Sequence, residues 1–102
     1  MSQEPVKIMI VDDEPVVRRA LQVGLSGMGY AVEESGTGDD AIIFLRRSTV
    51  DLVLLDINMP GMSGVETCRR IRALFPRAGI VMITVKDSED SKIEALEAGA
   101  DD

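Results

Sequence analysis

Three aspartates that follow apolar runs could carry out chemistry in this chain. Asp12 and Asp13 come after the run VKIMIV, and Asp56 ends the run DLVLLD. If the two runs form neighbouring parallel strands, the three carboxylates meet at one edge of a sheet, where like charges either retain a proton or hold a cation. Hard carboxylate oxygens suit Mg²⁺, which keeps bound waters that a phosphate can displace. The three aspartates therefore predict a magnesium site beside a nucleophilic aspartate, which is a site for phosphoryl chemistry.

The composition predicts one small domain and removes several kinds of catalytic site. The chain has 102 residues, of which 45% are hydrophobic, and this suits one small domain with a packed core. It contains no histidine and a single cysteine, Cys68, which excludes Ser-His-Asp and Cys-His catalysis, a histidine-ligated zinc site and an internal disulfide. Carboxylates, hydroxyls and lysines remain for chemistry.

The charge and the hydropathy of the chain limit its partners and its location. A formal net charge of −7 opposes binding to a phosphate backbone, so we expect no nucleic-acid contact by this domain. No apolar run approaches the roughly 20 residues that a membrane span requires, and the N-terminus lacks the layout of a signal peptide. We therefore expect a cytoplasmic protein without membrane contact.

Strand and helix patterns alternate along the chain and predict an α/β domain with a parallel sheet. The expected strands span residues 6–11, 30–34, 51–56 and 79–84, and the expected helices span 15–26, 38–47, a stretch from 63, and 88–98. Thr37 and Ser63 are expected helix caps, and Ser63 forms an S-x-x-E capping box with Glu66. The first helix carries Val17, Ala20, Leu21, Gly24 and Leu25 at helical spacing. The residues expected to face the core from the second and third helices are Ala41, Ile42, Leu45, Val65, Cys68 (partly buried), Ile71, the stem of Arg72, and Phe75.

The order of the strands decides whether the aspartates meet. Right-handed crossovers permit a doubly wound sheet of order 2-1-3-4, which places the first and third strands side by side and binds ligands beyond their carboxyl ends. Asp12, Asp13 and Asp56 fall there, and Thr84 ends the neighbouring fourth strand. Asp13 alone would suit a helix cap and Thr84 alone a strand-end hydroxyl, but the four residues together favour a functional site.

Four sequence blocks occur in order over the whole chain: VDDEP, LVLLDINMPGMSG, VMIT and EAGADD. With these blocks the chain resembles the receiver domain of two-component response regulators. The resemblance implies a flavodoxin-like fold, an α/β doubly wound parallel sheet. It also implies that the domain accepts a phosphoryl group and promotes its own phosphorylation and dephosphorylation, and is not an enzyme that acts on other molecules.

The resemblance implies a role for each site residue. Asp56 would be the phosphoacceptor, which takes the phosphoryl group from a sensor histidine kinase or a small phosphodonor. Asp13 would bind Mg²⁺ directly, Asp12 would act on the metal largely through water, and Asn58 would offer its backbone carbonyl. Thr84 would be the switch hydroxyl that hydrogen-bonds the phosphoryl oxygens. The changed surface would then control an output domain of the full-length protein, which by analogy with the family could bind DNA and regulate transcription.

The chain also departs from the family. After the position of Asp102 the family continues with a fifth strand, a lysine-proline pair and a fifth helix, which are missing here, and Lys86 is too close to Thr84 to replace the missing lysine. We therefore expect residues 1–102 to form a single receiver domain that is incomplete at its C-terminus, with Asp101 and Asp102 in a solvated turn. We expect the edge of the fourth strand to be unpaired and able to support self-association or strand exchange.

Two other functions remain open from the residues. An aspartyl-phosphate phosphatase of the haloacid dehalogenase type also uses an aspartate after a parallel strand, but it needs a second aspartate at the position of Asn58. A phosphorylation-independent interaction module, or an inactive fragment, would explain the missing lysine. The intact set of Asp12, Asp13, Asp56 and Thr84 favours the phosphoacceptor over both.

Overall fold

Four parallel strands form one sheet in the computed structural model, which describes residues 5–59, 61–83 and 96–101. The strands are β1 (Lys7–Val11), β2 (Ala31–Ser35), β3 (Leu52–Asp56) and β4 (Gly79–Ile83). Their order in the sheet is β2-β1-β3-β4, which confirms the predicted topology. Val11 at the end of β1 is in register with Leu55 near the end of β3, so the carboxyl ends of these two strands lie side by side.

The strand boundaries differ from the predicted ones by a residue. β1 and β3 each begin one residue later than expected, and β2 is shifted from 30–34 to Ala31–Ser35. The shift of β2 has a local cause, because the N–H of Tyr30 donates to the carbonyl of Leu25 and so belongs to the end of the preceding helix. Thr84, Lys86 and most of the predicted helix 88–98 lie outside the described residues.

Three helices connect the strands: α1 (Pro15–Gly27), α2 (Gly38–Arg47) and α3 (Gly64–Leu74). Thr37 caps α2 as predicted, since its hydroxyl accepts a hydrogen bond from the N–H of Asp40 at 3.1 Å. Ser63 likewise accepts from the N–H of Glu66 at 3.2 Å. The other half of the predicted capping box is replaced, because the Glu66 carboxylate pairs with the nearby arginines of α3. No helix within the described residues is long and apolar enough to cross a membrane.

The main core lies between the sheet and the pair α2 and α3. Alternate residues of the strands face it, as the period-two geometry of strands requires. The predicted inward residues of α2 are all buried. The buried cluster contains Met9, Val11, Val53, Leu55, Ile80, Ala41, Ile42, Leu45, Cys68 and Ile71.

Helix α3 buries more of its surface than predicted. Cys68 is fully buried and not partly buried, because it lies within this core, and burial raises the pKa of its thiol. Val65 and Phe75 pack against the cluster and are half-buried. Thr67 was missed as a core residue, and its burial is tolerated because its hydroxyl donates to the carbonyl of Ser63 at 2.8 Å.

Helix α1 packs on the opposite face of the sheet. Its apolar residues at helical spacing are only partly covered there. Among the described residues α1 is the only helix on this face, and none of its residues is buried. Val16 is 81% exposed and Val23 is 62% exposed.

Residues 96–101 return to the outer edge of β4. The N–H of Asp101 donates to the carbonyl of Ile80 at 2.8 Å, and the Asp101 carboxylate accepts from the N–H of Ile80 at 2.8 Å. Asp101 is exposed, as predicted, but it pairs with the strand edge and does not lie in a free turn. The predicted open edge of β4 is paired at Ile80, and Asp102 lies outside the described residues. The physical reason is that the backbone groups of an edge strand need partners, and a carboxylate next to them can accept.

The Arg72 guanidinium holds this returning segment. It donates to the carbonyl of Gly99 at 2.9 Å and forms an ion pair with Asp101 at 2.8 Å. It also donates to the carbonyls of Pro76 and Ala78, at 2.8 and 2.7 Å. Arg72 was expected to contribute only its stem to the core, but its charged head joins the end of α3, the loop before β4 and residues 99–101.

Candidate functional site

Three carboxylates converge at the carboxyl edge of the sheet. One oxygen from each of Asp12, Asp13 and Asp56 lies within 4.8 Å of the others. Asp12 is 6% exposed, while Asp13 and Asp56 are half-buried. The parallel register of β1 and β3 produces this convergence, since each strand delivers its aspartate to the same edge. The meeting of carboxylates that the strand pattern predicts is therefore present in the fold.

Three hydrogen bonds fix Asp12. Its N–H donates to the carbonyl of Ser35 at 3.1 Å, which ties it to the end of β2. Its Oδ1 accepts from the N–H of Glu14 at 2.9 Å, and its carbonyl accepts from the Arg18 guanidinium at 2.7 Å. The second carboxylate oxygen takes no part in these bonds, so Asp12 is held in place with one oxygen left for a ligand.

Asp56 is held in a similar way by the loop that follows it. Its Oδ1 accepts a hydrogen bond from the N–H of Asn58 at 3.1 Å, the side-chain turn that aspartate commonly makes with the backbone two residues on. Oδ2 takes no part in this bond, so it is the oxygen that can act as a nucleophile. The N–H of Asn58 is thus part of the site. The predicted metal contact of the Asn58 carbonyl stays a prediction.

The surroundings of Asp56 raise the pKa of its carboxyl from 3.8 to about 6. Burial contributes most, the hydrogen bond from the Asn58 N–H acts in the opposite direction, and the negative charges of Asp12 and Asp13 raise the pKa further. A proton and a cation therefore compete for the same group of oxygens near neutral pH.

The donor set fits a hard divalent cation. The described residues of the cluster offer carboxylate oxygens, with no nitrogen or sulfur ligand among them. Mg²⁺ prefers such oxygens and is commonly held by one or two carboxylates together with water and phosphate oxygens. The like charges of Asp12 and Asp13 beside Asp56 give a cation a further electrostatic reason to bind.

Gly64 lets α3 begin against the end of β3. Its N–H donates to the carbonyl of Ile57 at 3.0 Å and closes the loop that follows Asp56. A Cβ at this position would lie 2.5 Å from the Cα of Ile57 and closer still to the carbonyl oxygen of Asp56. Sequence reasoning placed a helix cap at Ser63 but missed this contact, for which the glycine directly after the cap was the available signal.

Thr84 lies outside the described residues, and its place beside the cluster stays a prediction. Ile83, the residue before it, is in register with Asp56 and accepts a hydrogen bond from the N–H of Ile57 at 3.2 Å. The pairing of β3 with β4 thus continues to the level of the site.

Comparison with known families decides the relationship. The response regulator receiver domain model matches residues 8–102. The chain belongs to this family. The predicted resemblance is confirmed, and the chain is a receiver domain of the kind found in two-component response regulators.

Relatives agree with this assignment. The chain is 43% identical over 96 residues to the transcriptional regulatory protein ResD of Bacillus subtilis (strain 168), an alignment that covers 94% of this chain and 40% of ResD. It is 39% identical over 98 residues to the response regulator MprA of Mycobacterium sp. (strain KMS), covering 96% of this chain and 43% of MprA. The receiver domain thus spans about two fifths of the length of these relatives.

Solved structures confirm the fold. The chemotaxis protein CheY4 of Vibrio cholerae superposes with a TM-score of 0.91 at 29% identity, covering 95% of this chain and 82% of CheY4. A putative response regulator of Chloroflexus aurantiacus superposes with a TM-score of 0.92 at 33% identity, covering 97% of this chain and 83% of the other. The flavodoxin-like arrangement expected from the sequence is therefore confirmed.

Proposed function

We propose that Asp56 accepts a phosphoryl group in a Mg²⁺-dependent reaction and that the phosphorylated domain acts as a signalling switch. The observation that carries the proposal is the convergence of Asp12, Asp13 and Asp56 within 4.8 Å at the carboxyl edge of the sheet. Membership of the receiver family supports it. The proposed metal ligands are Asp13 and Asp56 by their carboxylates, Asp12 largely through water, and Asn58 by its backbone carbonyl.

The site residues would perform the transfer mainly by positioning. The Asn58 N–H holds Oδ1 of Asp56, so Oδ2 is left to attack the phosphorus of the donor. An oxygen–phosphorus bond then forms, and the bond from phosphorus to the leaving group breaks, with the electron pair leaving on the imidazole nitrogen of a phosphohistidine or on acetate. Mg²⁺, when bound, would neutralise the charge that develops on the phosphoryl oxygens. The product is an acyl phosphate, which water can hydrolyse, so the signal can decay without a separate partner.

The consequences of phosphorylation would reach the rest of a longer protein. Thr84 is proposed as the hydroxyl that binds the phosphoryl oxygens and draws its loop inward. We propose a sensor histidine kinase as the phosphodonor, because the chain belongs to the response regulator receiver family. We propose an output domain as the regulated partner, because ResD is named as a transcriptional regulatory protein. Contact with DNA would belong to that output domain, since this chain carries a net charge of −7. A cytoplasmic location, and self-association through the edge of β4, stay predictions from the sequence.

Intact mass spectrometry after incubation with acetyl phosphate and Mg²⁺ tests the proposal. One phosphoryl adduct is expected on the unaltered chain, with none on Asp56→Asn and none without metal. Asp39→Asn is the matched control, because Asp39 is an exposed aspartate in the first turn of α2 that is not a member of the carboxylate cluster. An adduct that survives Asp56→Asn would overturn the assignment of the acceptor. A chain that binds Mg²⁺ but never forms an adduct would favour the phosphorylation-independent interaction module.

A further inference from the structure

We propose that Arg18 is a positioning residue for the magnesium site, acting through the backbone of Asp12. The inference rests on the proposed function, since it concerns how well the same carboxylates hold Mg²⁺. Arg18 lies in the first turns of α1, and its guanidinium spans the carboxyl ends of β1 and β2. No pattern in the sequence indicates that Arg18 belongs to the site.

The contacts of Arg18 are specific and shielded from solvent. Its Nη1 donates to the carbonyl of Asp12 at 2.7 Å, and its Nε pairs with the Glu34 carboxylate at 3.3 Å. The side chains of Arg18 and Glu34 are 22% and 24% exposed. Nη1 also lies 3.3 Å from where a Cβ at position 36 would stand, so Gly36 leaves the space that the guanidinium occupies.

Of the three groups that hydrogen-bond to Asp12, the Arg18 guanidinium is the one that belongs to a side chain. The Ser35 carbonyl and the Glu14 N–H, which provide the other two, are backbone groups. Without Arg18 the carbonyl of a nearly buried residue would lose its partner, and the turn that carries both Asp12 and Asp13 would loosen. Partners that orient metal ligands in this way are typically worth 10–100-fold in metal affinity.

A purely electrostatic role would have the opposite effect. A lone arginine near three carboxylates would reduce their attraction for Mg²⁺, so its removal would tighten binding. Glu34 balances the charge of Arg18 at 3.3 Å, and the pair therefore contributes orientation with little net charge. The direction of the change in Mg²⁺ affinity separates the two roles.

Mg²⁺ titration by isothermal calorimetry tests the proposal on Arg18→Met, which keeps an unbranched stem but has no donor. Arg19→Met is the matched control, because Arg19 is the next residue of α1, is exposed, and loses the same charge. We expect roughly tenfold weaker Mg²⁺ binding for Arg18→Met, with Arg19→Met unchanged or slightly tighter. Equal or tighter binding by Arg18→Met would overturn the proposal.

Two further measurements keep the test decisive. Arg18→Lys retains the charge but has no planar fork to hold both Asp12 and Glu34, so it decides the question if Arg18→Met does not fold. Weaker binding by Arg18→Lys supports positioning, and unchanged binding contradicts it. The unaltered chain and Asp13→Asn test the proposed function separately. If Mg²⁺ binding is absent, or survives Asp13→Asn, the magnesium site itself is wrong, whatever Arg18 does.

Discussion

Asp101 and Ile80 are joined by two hydrogen bonds, one in each direction. The N–H of Ile80 donates to the Asp101 carboxylate, and the N–H of Asp101 donates to the Ile80 carbonyl, both at 2.8 Å. This pairing occupies backbone groups on the outer edge of β4, where another strand would otherwise add. The Arg72 guanidinium holds Asp101 in place. Protection of the edge of β4 therefore depends on a side chain of α3.

Arg72→Met should release residues 99–101 and open the edge of β4. The variant loses the ion pair with Asp101 and the bonds to three carbonyls, while it keeps most of the apolar stem. We expect faster amide hydrogen exchange at Ile80, and light scattering that shows association increasing with concentration. The expected loss of stability is about 1–3 kcal/mol, the usual contribution of hydrogen bonds from a charged group, since the bonds to Gly99 and Ala78 are partly buried.

Arg69→Met is the control for this change, because Arg69 is exposed and its ion pair within α3 is with Glu66. It should leave the exchange of the Ile80 amide unaltered. A monomeric Arg72→Met variant with a protected Ile80 amide would show that residues 99–101 stay in place without Arg72.

The hydrogen bond from the N–H of Ile80, with a smaller contribution from Arg72, lowers the pKa of Asp101. The contacts of the Asp101 carboxylate with Ile80 and Arg72 should therefore contribute fully to stability above the ordinary aspartate pKa. This contribution should be lost as the pH falls through the lowered pKa of Asp101.

The difference between Asp56 and Arg72 explains what the sequence could predict. The site carboxylates follow apolar runs, and parallel strands bring their ends to one edge, so topology alone predicts that Asp12 and Asp56 meet. The acceptors of Arg72 are carbonyls of two separate loops. Their positions depend on tertiary packing, which the hydrophobic periodicity of a sequence does not predict. Arg18 was missed for the same reason, since its main partner is the backbone of Asp12.

Asp56→Asn should stabilise the metal-free domain near neutral pH. Because the pKa of Asp56 is raised to about 6, the folded state binds more protons than the unfolded state between the ordinary pKa and that value. Stability therefore falls as the pH rises through this range. Asparagine removes the partly buried charge and can keep the hydrogen bond from the N–H of Asn58. The expected gain is about 1–2 kcal/mol at about pH 7.5, allowing for solvent screening, and it should vanish near pH 4.

Urea denaturation at several pH values in the presence of a chelator measures this difference. Asp39→Asn serves as the control, since it removes an exposed carboxylate from the first turn of α2. It should lower stability slightly, by about 0.5 kcal/mol, because that carboxylate favours the helix N-terminus. If Asp56→Asn lowers stability by a similar amount at every pH, folding does not raise the pKa of the Asp56 carboxyl.

The same titration should control Mg²⁺ affinity. A proton on Asp56 must leave before the carboxylate can bind a cation, so acidification through a pKa of about 6 should weaken binding. Between about pH 7.5 and about pH 5 we expect a decrease of roughly tenfold from this group. Calorimetric titrations at each pH measure it, and Asp56→Asn should bind more weakly but lose this pH dependence. An affinity of the unaltered chain that does not change over this range would exclude Asp56 as a metal ligand.

Gly64→Ala should disturb the loop after Asp56, because the added methyl group would meet the backbone of Asp56 and Ile57. Backbone cannot move aside as the end of a flexible side chain can, so α3 or the loop must shift. We expect a loss of about 1–3 kcal/mol in stability by urea denaturation, together with slower phosphorylation by acetyl phosphate. Gly24→Ala is the matched control, because Gly24 lies in α1 and a Cβ at this position would have no neighbouring atom within 4 Å.

The two glycine variants should change stability in opposite directions. Alanine in place of Gly24 should raise stability by about 0.5–1 kcal/mol, through its better helix propensity and the reduced freedom of the unfolded chain. It should leave the phosphorylation rate unchanged, because Gly24 lies near the C-terminal end of α1, whereas the aspartates precede the start of this helix. Helix α1 also lies on the opposite face of the sheet from α3. If Gly64→Ala is as stable and as quickly phosphorylated as Gly24→Ala, the close approach of α3 to the end of β3 is not needed to hold Asp56.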